Sequence, residues 1–396
     1  MKEKLGVLAG ILLVLGVIGL TGINSVSSAN PEPLERKIVV FKSGVLDEPA
    51  REALLAKFGA VKTKDLTLIN GKAVLLPPKA EAALARQTGV LRIDDDVIVE
   101  ALVKKAGTPK PQPLEVLPWG IDKIDAELVW PSGNTADPVK LAIIDTGIDV
   151  KHPDLTANLK GGVSTVGYTT SYNDDNGHGT HVAGIVGAVD NEIGVIGAGP
   201  AIDLYAVKVL DRRGSGYLSD VIEGLDWAIA HGMQVVNMSL GTSADVLSFR
   251  EAVQRVNSAG IVQVAAAGNS GGSVIYPAAY PEVIAVSATD NTDTIASWSS
   301  RGPEIDLAAP GVSIYSTYKG QTYKTLSGTS MAAPHVAGAA ALVLNSAIGA
   351  YDLNDNDIWD PIEVQNKLQD KAVDLGSHGF DNLYGWGLVN AFNAVQ

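Results

Sequence analysis

Three short stretches hold side chains that together could take up a proton and attack a carbonyl carbon. Gly328-Thr329-Ser330-Met331-Ala332-Ala333-Pro334-His335 opens a run in which Ala, Val and Leu recur at helical spacing. Ser330 therefore sits where a turn passes into a buried helix. Backbone N–H groups at such a turn point out of the helix N-terminus, where the orphan donors and the dipole favour an oxyanion. A serine there can equally be a plain N-cap. Residues 139–149 form an apolar run that stops at Asp145 beside Thr146-Gly147, the pattern of a buried strand ending in a carboxylate. In Asn176-Gly177-His178-Gly179-Thr180-His181, His178 stands between two glycines. A nucleophilic serine needs a base, and the base needs a carboxylate to fix its tautomer and stabilise its charge. All three types are present, in the order Asp, His, Ser.

Asp145-Thr146-Gly147, His178-Gly179-Thr180-His181-Val182-Ala183-Gly184 and the Ser330 stretch together resemble the subtilisin-like serine proteases, or subtilases, over about Pro118 to the C-terminus. The resemblance implies Asp145 as orienting acid, His178 as general base and Ser330 as nucleophile of an endopeptidase that cleaves polypeptides through an acyl-enzyme. It implies Asn269, in Ala265-Ala266-Ala267-Gly268-Asn269, as side-chain donor to the oxyanion, although Gly-Asn after a strand is also an ordinary turn. Gly214-Ser215-Gly216 and Ser239-Leu240-Gly241 match backbone that pairs with an extended substrate on either side, and Ala266 and Gly268 complete the substrate-binding set. Ile275 falls in the pocket-floor region and no acidic residue lies beside Asn269, so broad cleavage after apolar or aromatic residues is expected.

Calcium is the cofactor the resemblance implies. Asp154 and the loop residues Val189, Asn191, Ile193 and Val195 match a calcium site, with Glu115 where the family often has Gln. Carboxylate, amide and carbonyl oxygens are what a hard cation takes. In a second acidic stretch, Asp352, Asn354, Asn356, Asp360 and Glu363 fall at positions 1, 3, 5, 9 and 12 of a calcium loop, but Asp357 stands where such a loop wants Gly. The same residues suit a solvated loop that caps a helix starting near Asp360. His181, three residues after His178, lacks the His-Glu-x-x-His spacing of a zinc peptidase and reads as structural, as does His335.

The elements that must position these groups alternate. Apolar strand patterns at 141–144, 204–210, 235–238, 261–266 and 283–288 are separated by helical patterns at 178–188, 218–230 and 246–258. The fold expected is α/β, a mostly parallel sheet with helices on both faces, whose ligands lie beyond the C-terminal strand ends. Asp145, Ser239 and Asn269 all fall at such ends.

Upstream, 396 residues leave room for a second module. Residues 1–29 have Lys2 and Lys4, an apolar run and then Ser27-Ser28-Ala29, the form of a secretory signal, with a retained membrane anchor as the alternative. Residues 30–102 carry strand patterns at 37–41 and 72–76 and helical patterns at 48–58 and 79–87. They suit a small α+β domain, where the family has a propeptide that assists folding and inhibits the enzyme. Residues 103–116 include Gly-Thr-Pro-Lys-Pro-Gln-Pro and read as a stiff processing linker, with self-cleavage near Leu102, from Ala101 to Ala106. Residues 117–396 are then the catalytic domain.

Zero cysteines exclude disulfides, thiolate zinc sites and a cysteine nucleophile. Residues 1–102 carry 13 Lys and Arg against 12 Asp and Glu, and the remainder carries 17 against 32. An acidic mature domain argues against nucleic acid or an anionic membrane as a partner. The expected protein is thus secreted, with polypeptide substrates, its own propeptide as intramolecular partner, and no stable membrane association once the signal is cut. Two rivals are a catalytically silent binding module on the same scaffold and a metal-dependent hydrolase.

Overall fold

The computed structural model describes residues 33–396. The expected signal segment, 1–29, lies outside them.

A small domain comes first. Its antiparallel sheet has the strand order Val61–Leu66, Gly71–Leu76, Glu35–Phe41, Val90–Asp95. Because side chains alternate along a strand, Val39 and Phe41 face helices Glu48–Lys57 and Pro78–Ala85 and pack with Leu55, Val74, Leu76 and Leu84. Ile38 and Val40 face the other way and join Leu66, Ile69 and Ala73 in a core shared with the rest of the chain. Both faces of its two central strands, Glu35–Phe41 and Gly71–Leu76, are buried, so neither shows simple polar–apolar alternation.

The larger sheet is parallel throughout, in the order Leu307–Pro310, Ile284–Thr289, Val262–Ala266, Val235–Met238, Lys140–Asp145, Asp203–Lys208, Leu159–Ser164. Leu141 and Ile143 point to the core made with helices His178–Gly187 and Thr329–Leu344, while Ala142 and Ile144 point to helices Leu218–Ala230 and Leu247–Ser258. Each fully buried Val, Leu or Ile contributes roughly 1.5–3 kcal/mol, so a sheet sandwiched this way fixes its strand ends firmly. Those ends carry Asp145, Ser239 and Asn269. The expected architecture is the one observed.

The small domain packs on the second pair of helices through their N-termini. Asp96 Oδ1 accepts from Ser219 N at 2.8 Å, and Asp94 Oδ2 accepts from Ser248 N at 3.1 Å. Helix Leu247–Ser258 begins after Val246, which offers no side-chain acceptor, so Asp94 satisfies an amide the helix itself leaves open. Lys64 reaches Asp220 at 3.0 Å and Glu223, and the Arg36 guanidinium lies 3.6 Å over the Tyr217 ring.

Candidate active site

Asp145 ends its strand fully buried, and both its oxygens lie within reach of His178 Nδ1, at 2.8 and 2.9 Å. That contact fixes the imidazole with Nε2 directed away from the carboxylate. His178 is the first residue of its helix, entered through Gly177 at φ +111°, where a Cβ would stand 2.3 Å from the Tyr318 ring. Only glycine fits there.

The loop before His178 is organised by Asp174, a residue that sequence reasoning missed. Its buried carboxylate accepts from the N–H groups of Asn176, Gly177 and Thr180 at 2.8, 2.8 and 3.0 Å, and from the hydroxyls of Thr146 and Thr180 at 2.9 and 2.6 Å. Burial pushes its pKa up, against those donors. Thr146 Oγ in turn accepts from Gly179 N at 2.9 Å. Fully buried Lys208 ties the same region together, donating to the Thr146 and Leu210 carbonyls and to Asp175 Oδ1 at 2.7, 3.0 and 2.7 Å.

Ser330 lies in the first turn of helix Thr329–Leu344. Its hydroxyl donates to the Ser239 carbonyl at 2.9 Å, and His178 Nε2 is buried without a hydrogen-bond partner. The imidazole–carboxylate pair is therefore formed and the serine–imidazole bond is not. Asn269 Oδ1 accepts from Thr329 N and Thr329 Oγ at 2.9 and 3.0 Å, which turns its Nδ2 outward.

What Nδ2 meets is the chain itself. Leu102 O accepts from Asn269 Nδ2 at 2.7 Å, Leu102 N donates to Ser330 Oγ at 3.1 Å, and a Cβ on Gly328 would come within 2.4 Å of that same carbonyl. On one side of Leu102, Ile98–Ala101 is the middle strand between Ser215–Tyr217 and Leu240–Gly241, both antiparallel to it. Ala101 N donates to Gly214 O at 2.9 Å and Leu102 N lies 3.3 Å from Ser239 O. On the other side Lys105–Ala106 pairs with Thr322–Ser327, and Lys110 exchanges hydrogen bonds with Tyr323. The expected stiff processing linker thus runs, largely solvent-exposed, as an added strand near its start. The Thr322–Ser327 partner went unrecognised in the sequence because its Thr, Tyr and Lys carry no site pattern. Ile275 packs against Gly241, in one of the two segments expected to flank the substrate, and against Gly268, with Ala266 buried at the adjoining strand end.

Glu115, Asp154 and Asn191 converge as expected. Asn191 N donates to Glu115 Oε1 at 2.6 Å and Asn191 Nδ2 to Asp154 Oδ1 at 3.0 Å; Val195 N and the Tyr323 hydroxyl donate to Asp154 Oδ2 at 2.9 and 3.1 Å. Val189 N bonds the Asp154 carbonyl, and Ile193 N the Asn191 side chain. Among the described residues neither carboxylate has a Lys or Arg partner. Burial pushes the Asp154 carboxyl up to about 6 and Glu115 in the same direction. Uncompensated carboxylates beside an amide and a carbonyl-bearing loop fit a hard cation.

In the second acidic loop, Asp352 accepts from Asn356 N and Asp357 N at 3.1 and 2.9 Å, and Asp357 adopts φ +58° without being glycine. Asn354 Nδ2 bonds Asp360, while buried Glu363 accepts from Leu353 N and Asp360 N, each at 2.7 Å. Asp360 and Glu363 form a capping box on helix Pro361–Asp370. His181 Nε2 meets the carbonyls of Ile314 and Lys324, and His335 Nδ1 that of Met331. Burial lowers them to about 3 and about 4, as for neutral structural histidines.

A buried carboxylate–imidazole pair, a serine at a helix N-terminus and strand edges that grip an extended chain define a serine hydrolase acting on polypeptide. A model of the subtilase family matches residues 136–387. The chain is 39% identical to an alkaline protease of Shouchella clausii over the full length of both, and 40% identical to subtilisin J of Geobacillus stearothermophilus, covering 94% of this chain and 93% of that one. It is 48% identical to subtilisin Savinase of Lederbergia lenta, over 71% of this chain and 99% of the relative. The chain belongs to the subtilase family and is a serine endopeptidase.

Proposed function

We propose that this endopeptidase is made as a secreted precursor that cuts itself between Leu102 and Val103, using Asp145, His178 and Ser330 as its triad. The observation that carries the reading is the seating of Leu102, its carbonyl on Asn269 Nδ2 at 2.7 Å and its N–H on Ser330 Oγ at 3.1 Å. Rotation of the Ser330 side chain off the Ser239 carbonyl brings its proton to His178 Nε2. Oγ then bonds to the peptide carbonyl carbon. Asn269 Nδ2 and the Ser330 N–H hold the oxyanion that develops, and Asp145 stabilises the imidazolium. His178 passes its proton to the leaving amine, and water repeats the cycle on the acyl-enzyme. Residues 30–102 act as the propeptide, occupying the cleft that other polypeptides later enter, with Ala266, Gly268 and Ile275 admitting apolar or aromatic side chains.

Calcium bound by Glu115, Asp154, Asn191 and the carbonyls of Val189, Ile193 and Val195 would neutralise the carboxylates of Glu115 and Asp154 and hold the loop. Asp352, Asn354, Asn356, Asp360 and Glu363 are a second candidate set, already committed in part to capping. Among the described residues no helix is long and apolar enough to cross a membrane. A serine-directed phosphonate tests the assignment: it should label Ser330 and abolish activity. Activity that survives the reagent and dies with a zinc chelator would favour a metal-dependent hydrolase instead.

A further inference from the structure

Beside the seated segment is a cavity of about 230 Å³, bounded by Ala101 and Val103 on one side and by His178, Arg213, Tyr318 and Lys324 on the other. Ala101 and Val103 are two apart along extended chain, so their side chains project to the same side. Both are short, and they leave the space unfilled. Among the described residues neither cation on its wall has a carboxylate partner. Arg213 makes no side-chain hydrogen bond or ion pair among the described residues. Among the described residues Lys324 Nζ meets only the Tyr318 hydroxyl at 3.3 Å and the ring face at 4.3 Å. Two carboxylates of the adjoining loops are engaged elsewhere, Asp175 by Lys208 at 2.7 Å and Asp211 by the amides of Arg213 and Ser215 at 2.8 and 3.1 Å.

We propose that this cavity is a subsite for a carboxylate side chain, so that the enzyme favours substrates with Glu or Asp in the place of Ala101 or Val103. The proposal rests on residues 98–106 being seated as substrate. An acidic side chain at either place would enter a space walled by Arg213 and Lys324, whereas a basic one meets two like charges. The large domain is acidic as a whole, so the preference is local to this wall and opposed at longer range. Salt that screens the long-range field also weakens the short contact.

Internally quenched peptides with Leu before the scissile bond, and Ala, Glu or Lys in the place of Ala101 or of Val103, test it. Wild-type kcat/KM at low salt should be about two- to fivefold higher for Glu than for Ala, the range for exposed ion pairs, and lower for Lys than for Ala. In the double variant Arg213→Gln, Lys324→Gln the Glu-to-Ala ratio should fall to about one. A wild-type ratio of one, or a preference that persists in the double variant, overturns the subsite. Failure to cleave any peptide, with Ser330 unlabelled by phosphonate, overturns the endopeptidase assignment of these residues and this proposal with it.

Discussion

Leu102 O and Asn269 Nδ2 lie 2.7 Å apart, across 167 positions of sequence. The carboxamide is held in that orientation because its oxygen is taken by Thr329 N and Thr329 Oγ. In the proposed reaction, the carbonyl held there is the one that Ser330, at the start of the same helix, attacks, with no conformational change required of the backbone.

Replacing Asn269 by Ala should lower kcat by about 10²–10³ with KM little changed, a magnitude that comes from removal of the corresponding donor in a subtilisin. Thr329→Val should lose part of the same effect by freeing the amide to flip. Steady-state kinetics on a short peptide substrate separates the two. Equal losses in kcat and kcat/KM mark an interaction made in the transition state.

Asp94 and Asp96 predict a second result. Removing either carboxylate strips a helix N-terminus of its acceptor at Ser248 or Ser219, a loss of about 1–2 kcal/mol each. In the uncut Ser330→Ala chain, Asp94→Ala and Asp96→Ala should each lower the denaturant midpoint. No change would mean that these two carboxylates contribute nothing to holding the small domain in place.

Asp306 gives a pH dependence. It accepts from Ala285 N and from the Gln365 and Gln369 side chains, each at 2.8 Å, and burial pushes it from 3.8 up to about 6. A raised carboxylate favours its protonated form in the native state. Its contribution is therefore fully present below pH 3.8 and lost as pH rises through about 6, a difference of about 3 kcal/mol. The stability of wild type relative to Asp306→Asn, measured by urea unfolding in the Ser330→Ala background, should fall across that window. A flat difference would show that the group titrates normally.

Calcium removal should lower the melting temperature before it alters turnover of short peptides at low temperature. At a free calcium concentration 100 times the dissociation constant, the stabilisation is about 2.7 kcal/mol. Asp154→Asn should weaken or abolish the response of the melting temperature to chelator. Calorimetry with and without chelator reads this directly, and an unaltered response would assign the stabilisation to another site.

The central strands were legible from the sequence because they are apolar throughout, the mark of a sheet covered on both faces. The two edges were not. Leu159–Ser164 contains Gly161 and Gly162, and Leu307–Pro310 reads Leu-Ala-Ala-Pro; neither run has the β-branched density that signals a strand. Asp145, His178 and Ser330 stood out through their neighbours. Asp174 lies in an irregular polar loop where nothing in the local pattern marks one carboxylate as buried, so its five hydrogen bonds could be found only from the fold. The pairing of Lys105–Ala106 with Thr322–Ser327 was hidden for a related reason: it joins segments more than 200 residues apart, and prolines just downstream suggested a stiff linker accessible to processing.

Everything turns on residues 98–106 lying across Ser330 as an uncut substrate. The N-terminus of the secreted wild-type product, determined beside the intact mass of Ser330→Ala made without other proteases, tests this most directly. The product should begin at Val103, and the Ser330→Ala chain should remain joined between Leu102 and Val103. A Ser330→Ala chain cut at that bond, or a wild-type product whose first cut lies elsewhere, would contradict it.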